Sequence, residues 1–540
     1  MNVDATHSSR VASMAAGTLV SRLTGLFRVL VLAWVLGFTP LADAFNLANT
    51  VPNMLFDVVL GGIATATFIP VFVERLALDG ERRAWRSISS IVTGAVLLLL
   101  AATVVSWLCA PWIIDGFTFL QRSSSTTATV AARQAAVVVA QRAVATQLLR
   151  WFVPQIFFYG VIGIATALLN VRHRFAVTTW VPIANNVVAI AVLVWFHLVD
   201  PTPVLAALSG SRDLLWLGLG TTAGVAVQFL CLVPSMAKSD LWRLTFKFDL
   251  KDPAVRTIGR LGSWTLGVVL ANQVSLYVVL AYAFGIGGNG PVSAYTYGWS
   301  FMQMPYAVVV VSVLSSLTPQ LAGFATGQDF AALTERLRFG LRQSLVIIVP
   351  CTAALIVLSQ PLVAILLNHL NARHHLPVGT VLAVLAAGLP GFTVFQLCVR
   401  GLQAMQRARE VFALYVVENA LTIALCVALG RHSLAGLTAS VSLGYSATAI
   451  AALAVLAHHR VNITTGVWSV HVRRSLWASL GAAAAMAVAY AAPSWSHGAL
   501  LVARFAGAAL AGLVAYGLVV VVLRWRVRRR PGKSARLGQF

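Results

Sequence analysis

Three groups of polar residues interrupt otherwise apolar runs, and each suggests a chemistry. Near the start, Ser21-Arg22-Leu23-Thr24-Gly25-Leu26-Phe27-Arg28 sets two guanidiniums six residues apart. On a helix they point about 120° apart, one and a half turns along the axis, which suits the wall of a wide cavity rather than one narrow stripe. Guanidinium grips phosphate-type oxygens with two parallel hydrogen bonds, so the pair is a candidate site for an anionic group. The plainer reading is that the arginines snorkel to headgroups, Arg22 more readily than the deeper Arg28. The second group is Asp43, Asn46, Asn49, Pro52, Asn53 and Asp57, followed by Gly61 and Gly62. Asn46, Asn49 and Asn53 fall at i, i+3 and i+7 and share one face. Interhelical hydrogen bonding accounts for such asparagines as well as ligand binding does. Pro52 frees a carbonyl and invites a bend, and the glycines allow close packing or a hinge. Asp57 is a candidate salt-bridge partner for Arg28 or a protonatable switch. The third group is scattered: Asn185-Asn186, Asn272-Gln273, Gln303 and Glu418-Asn419. Glu418 is the only acid deep in an apolar run of the second half. With Asn419 it is a candidate site for coupling to Na+ or H+, against a purely structural hydrogen bond.

The elements that must hold these residues follow from composition. Of 540 residues, 59% are hydrophobic and 10% charged, and mean hydropathy is +0.83. About a quarter of a soluble domain is charged, so this chain has too little polar surface to cover a water-exposed globule. Apolar runs of roughly 20 residues recur throughout, each long enough to cross a ~30 Å hydrocarbon core. They predict an all-α polytopic membrane protein of about fourteen spans: 12–38, 46–73, 88–113, 147–170, 178–198, 214–235, 259–284, 291–318, 341–367, 378–400, 410–430, 433–457, 475–493 and 500–523. Lys and Arg divide 29 to 8 between alternate sides, with Arg22 and Arg28 inside the first span. That bias predicts an even number of spans and both termini in the cytoplasm.

The net charge of +23 is therefore an orientation signal spread over short connectors, not the single basic face a nucleic acid needs. The five cysteines form no CxxC pair and have no histidines at metal spacing, so they read as small buried hydrophobes. No cleavable signal pattern is evident at the N-terminus, and no Walker loop, HExxH or Ser/His/Asp arrangement is present. The one long external connector, about Trp112 to Val144, holds a polar SSSTTAT stretch and then AARQAAVVVAQRA, a candidate surface helix. The basic tail from Arg524 reads as an orientation signal touching anionic headgroups.

An internal repeat organises the chain. ADAFNLANTVPN, ending at Phe68-Ile69-Pro70, has a counterpart in SAYTYGWSFMQMP, ending at Leu317-Thr318-Pro319, about 250 residues on. This predicts a six-helix bundle over 1–240, a second over 241–460, and two further spans with the basic tail over 461–540. Repeated halves around a midplane site are a common transporter plan.

The stretch from Gly17 to Arg28, then Ala42-Asp43-Ala44-Phe45, Asn49 and Pro52-Asn53, resembles the opening of the MurJ/MviN family of lipid II flippases. Pro154-Gln155-Ile156-Phe157-Phe158-Tyr159-Gly160, Leu169-Asn170, Arg174-Phe175 and Val181-Pro182 with Asn185-Asn186 match further family positions. The match is specific over the first 190 residues and looser beyond. The resemblance implies the MOP exporter superfamily: two six-helix bundles in a V around a central cavity, working by alternating access. Spans 13 and 14 would add a groove for the polyprenyl tail. The implied substrate is undecaprenyl-pyrophosphoryl disaccharide-pentapeptide, carried to the outer leaflet of the bacterial plasma membrane for peptidoglycan assembly.

By position, Arg22, Arg28 and Asp43 resemble family cavity residues, and Asn49, Asn53, Asp57 and Gln303 would share the substrate-binding wall. The chain departs from the family at Phe56-Asp57, where many members have a basic pair, at Ser300, where they have arginine, and at Gln303, where they have glutamate. The anion site is expected to be less cationic, with Arg22 and Arg28, or Arg150 of span 4, carrying more of it. Two other readings stay open: a flippase of another lipid-linked oligosaccharide or a MATE-like exporter, and a non-transporting scaffold for envelope assembly. No resident cofactor or metal is expected. Coupling to Na+, H+ or the membrane potential is. The expected partners are lipid II, membrane lipids and cell-wall synthesis proteins, with no nucleic acid.

Overall fold

Every backbone polar group inside hydrocarbon must be satisfied within the segment that carries it, which leaves helices as the means for single runs to cross. The computed structural model describes residues 2–61, 72, 80–120, 128–172, 174–201, 203–239, 245–246, 253–287, 290–366, 376–431, 433–467, 469–491 and 499–528, and no strand occurs among them. The helices are α1 Asn2–Leu36, α2 Pro40–Phe56, α3 Gly80–Leu108, α4 Ala110–Thr118, α5 Ala128–Phe152, α6 Pro154–Val171, α7 Phe175–Trp180, α8 Pro182–Val199 and α9 Arg212–Ala237. They continue with α10 Pro253–Ile286, α11 Pro291–Pro305, α12 Val311–Thr326, α13 Phe330–Leu366, α14 Leu376–Ala404, α15 Ala408–Leu429, α16 Leu434–His458, α17 Val470–Ala491 and α18 Ala499–Arg528. Thr39, Ser211 and Ser433 cap α2, α9 and α16 with their side-chain oxygens, satisfying amides that the first turn leaves open.

Twelve stretches among the described residues are long and apolar enough to span. They correspond to all the expected spans except the second and the thirteenth. The second begins as α2, and its expected end at Phe68-Ile69-Pro70 lies outside the described residues. The thirteenth is α17, a full helix diluted by Arg473, Arg474, Ser475 and Ser479. The polar SSSTTAT stretch lies mostly outside the described residues, as does the tail beyond Arg528. The AARQAAVVVAQRA segment is not a separate surface helix. It is the first half of α5, and the spanning stretch runs from Gln134 to Val171. Two of its polar groups bond to neighbouring elements: Gln141 Nε2 donates to the Pro40 carbonyl (3.1 Å) and Arg142 to that of Thr118 (2.8 Å).

The chain packs as two compact units, Met1–Thr296 and Tyr297–Phe540. In the first, α2 lies against α5 and α6, α8 against α1 and α9, and α10 against α3 and α4. In the second, α14 is central between α13 and α16, while α17 pairs with α18 and packs on α13. A Cβ on Gly388 or Gly391 of α14 would sit 2.7 Å from the Cα of Ser442 or Ser446 on α16. Small residues thus let these backbones close to a distance that larger side chains forbid.

The internal repeat is visible in backbone geometry. Gly37 (φ 62°) ends α1 and Gly287 (φ 73°) ends α10, a left-handed conformation that glycine adopts without steric cost. α2 then starts at Pro40 and α11 at Pro291, and each of those passes into a π-helical segment, Asp57–Gly61 or Tyr306–Val310. The two π segments are 249 residues apart. Such segments inside membrane helices frequently mark functional sites.

Candidate functional site

In the first unit, α1, α2, α6, α9 and α10 bring the sequence-predicted polar residues to three places. The first is the start of α11. Asp43, 2% exposed, accepts hydrogen bonds on Oδ1 from the Ser293 amide (2.8 Å) and hydroxyl (2.7 Å). Asn46 Nδ2 donates to the same hydroxyl (2.9 Å). A carboxylate at a helix N-terminus satisfies open amides and meets the positive end of the helix dipole. Asp43 and Asn46 therefore tie α2 to its own repeat counterpart.

The second place is the middle of α2. Asn53 is exposed. Its Nδ2 donates to the carbonyl of half-buried Asn49 (2.9 Å), and its side chain also reaches the Tyr159 hydroxyl, which lies within the electrostatic reach of Arg28. Tyr159 donates to Gln155 Oε1 (3.1 Å), Gln155 Nε2 to Thr222 (3.0 Å), and Thr222 to the Trp151 carbonyl (2.7 Å). The Phe56 ring stands 6.0 Å from that of Tyr159. Arg28 is half-buried and Arg22 exposed. Arg28 and Asp57 make no ion pair with each other. Asp57 opens the π segment and accepts from Gln273 Nε2 of α10 (3.2 Å), leaving Gln273 Oε1 buried without a partner. The wall thus presents a cation, an exposed amide and a relay of neutral donors, a surface suited to an anion with hydroxyl or amide neighbours.

The third place is structural. Asn186 donates to the Ser21 carbonyl (3.3 Å) and to Thr24 Oγ1 (3.0 Å), bonding α8 to α1 beside Arg22. Arg150 stacks 5.4 Å over Trp107 at the end of α3.

In the second unit, Gln303 is half-buried, two residues before Pro305 and the second π segment. Glu418 and Asn419 are buried in α15. Thr422 donates to Glu418 Oε1 (3.1 Å), Glu418 Oε2 has no partner, and Asn419 Nδ2 donates to the Tyr415 carbonyl (2.7 Å). Rings of Tyr306, Phe392, Phe395, Tyr415 and Tyr445 pack edge to face beside them, at centroid separations of 4.7–5.7 Å. A separate apolar groove of about 530 Å³ runs between α13, α14, α16 and α17, with Arg473 among its lining residues. Sequence reasoning did not pick out Thr222, Ser293, Thr422 or the aromatic cluster. Gln155 and Tyr159 carried a signal, an i, i+4 polar pair in an apolar run.

A family model described as "Lipid II flippase MurJ" matches residues 32–508. The chain belongs to the MurJ lipid II flippase family. A probable lipid II flippase MurJ from Rhizobium meliloti (strain 1021) is 25% identical over 430 residues, 78% of this chain and 75% of that protein. Lipid II flippase MurJ from Burkholderia cenocepacia is 26% identical over 438 residues, 79% of each chain. A solved MurJ structure in an inward closed conformation superposes with a TM-score of 0.73 at 19% identity, covering 96% of this chain and 99% of that one. An inward-facing multidrug MATE transporter of the MOP superfamily follows at 0.66 and 13% identity, covering 84% and 99%. The fold of this MurJ-family chain is therefore that of the MOP transporters.

Proposed function

We propose that this protein carries lipid II across the bacterial plasma membrane by alternating access. Family membership carries the reading, and the Arg28, Asn53 and Tyr159 wall supports it. A lipid-linked pyrophosphate cannot cross hydrocarbon alone, because its charge would have to shed water. Arg28 would hold the anionic group while Asn53 and the Tyr159–Gln155–Thr222 relay supply neutral hydrogen bonds. With Phe56, Asp57 and Ser300 in place of basic residues, Arg28 and Arg22 carry most of the positive charge on which the cargo depends. The polyprenyl tail would lie in the apolar groove beside α17.

The bond from Asp43 to Ser293 would hold the non-basic ends of α2 and α11 together in one state and release them in the other. Glu418 would couple transport to Na+ or H+, since its second oxygen is buried and unpaired beside packed aromatic rings. The 29 to 8 charge bias supports an orientation with both termini in the cytoplasm. No catalytic step is assigned to the chain, and cell-wall synthesis proteins are its expected partners.

Complementation of a strain depleted of its own lipid II flippase tests the reading. Wild type should rescue growth and Arg28→Ala should not, at equal membrane abundance. Failure of well-expressed wild type would overturn the lipid II assignment. Glu418→Gln should abolish the gradient dependence of transport. Unchanged transport with unchanged gradient dependence would overturn the coupling role.

A further inference from the structure

A second, smaller cavity of about 240 Å³ lies on the other side of α17, closed by α13 and α18. Its polar lining is Arg342 and Gln343 of α13, His471, Arg474 and Ser475 of α17, and Tyr516 of α18. It sits at the end of the second unit where basic connectors meet: Arg338, one turn before Arg342, donates from Nε (3.0 Å) and Nη2 (2.7 Å) to the carbonyl of Asn462, in the connector that leads to α17. We propose that this cavity binds the phosphodiester of an anionic phospholipid of the cytoplasmic leaflet, at a site apart from the transported cargo.

Charge is the first argument. The second unit contains four acids, Asp329, Glu335, Glu410 and Glu418, and none occurs from Asn419 to Phe540. All four are engaged elsewhere. Asp329 accepts from the Ala332 amide at the start of α13 (2.9 Å). Glu335 faces Arg338 (3.6 Å), and Glu410 faces Arg407 and His459 (3.6 Å each). Glu418 bonds Thr422. Among the described residues of the unit no side-chain carboxylate pairs with Arg342 or Arg474, and Arg342 stacks on Phe339, 5.7 Å from the ring centroid. Two half-buried guanidiniums converging on one pocket without an acid call for an anion from outside the protein.

Geometry selects a lipid as its source. Ser475 Oγ donates to the Val346 carbonyl (2.9 Å), so the 3.1 Å contact to Tyr516 uses the tyrosine's proton. The Tyr516 oxygen is left as an acceptor, able to take a bond from a headgroup hydroxyl beside the phosphate. Trp477, 63% exposed, lies three residues beyond Arg474, and Leu476, Leu518 and Val521 are also exposed on α17 and α18. Apolar surface bordered by tryptophan and arginine is the environment acyl chains and headgroups occupy at an interface.

The leaflet assignment rests on the orientation proposed above, whereas the binding chemistry does not. The test is native mass spectrometry of the purified full chain in detergent, with added phosphatidylglycerol or phosphatidylcholine of matched acyl chains. Wild type should retain phosphatidylglycerol in preference. The double variant Arg342→Gln/Arg474→Gln should lose that preference about tenfold or more, the loss expected when charge-assisted hydrogen bonds are removed. Arg342→Lys/Arg474→Lys should recover part of it, and Arg460→Gln should match wild type. Melting temperatures within a few degrees of wild type would show that the variants are folded. Equal retention by the folded Gln double variant would overturn the site. Displacement of the lipid by millimolar inorganic phosphate alone would assign the pocket to a soluble anion and overturn the lipid assignment. Complementation by the same variants reads lipid II transport separately, so failure of either reading is recognised without the other.

Discussion

Arg28 and Arg22 are both guanidiniums on α1, yet their surroundings separate them. Arg28 is half-buried and within electrostatic reach of Tyr159, whereas Arg22 is exposed. Arg28→Gln is therefore expected to lower the rate of lipid II flipping in reconstituted vesicles by roughly 10- to 100-fold, the range for removing a hydrogen bond to a charged group. Arg22→Gln is expected to cost distinctly less, and equal losses would show that the two share the anion. Asp43 Oδ1 accepts from the Ser293 amide and hydroxyl at the start of α11. Asp43→Ala leaves those buried donors without an acceptor, so it should destabilise the fold by about 1–3 kcal/mol, seen as a lower melting temperature in detergent. Asp43→Asn keeps an acceptor oxygen and should lose less.

At the scale of elements, the repeat is clearest where the backbone departs from an α-helix. Each half has a left-handed glycine, then a helix containing proline and a π segment. The sequence showed this only as two weakly similar strings and a 250-residue offset, because a π segment has no residue signature of its own. Element packing is also where small residues are tested most directly. Gly388→Leu would push a side chain into the α16 backbone at Ser442, and overpacking of a close contact costs about 1–3 kcal/mol or more. The expected result is low membrane abundance and a lowered melting temperature, while Gly323→Ala, where an added Cβ meets no neighbouring element within 4 Å, should be neutral.

For the whole molecule, sidedness is the property to measure. Ser209 and Gln328 are both exposed in connectors, on opposite sides by the charge bias. In a cysteine-free background, Ser209→Cys should react with a membrane-impermeant maleimide on intact cells. Gln328→Cys should react only after permeabilisation. Reversed labelling would invert the orientation and, with it, the leaflet of the proposed phospholipid site.

Class and most span positions were legible in the amino-acid sequence because each depends on a local quantity, apolar run length against bilayer thickness. The family was legible for the same reason, carried by contiguous motifs such as Gly17 to Arg28 and Pro154 to Gly160. What each polar residue bonds to was decided by tertiary structure, because partners such as Asp43 and Ser293 or Asp57 and Gln273 stand more than 200 residues apart. Asn46, Asn49 and Asn53 share a helical face, yet only packing made Asn46 a clamp on α11 and left Asn53 exposed. The Arg342 and Arg474 pocket is the same case. Two ordinary connector arginines became a site only when α13, α17 and α18 closed around them without a carboxylate.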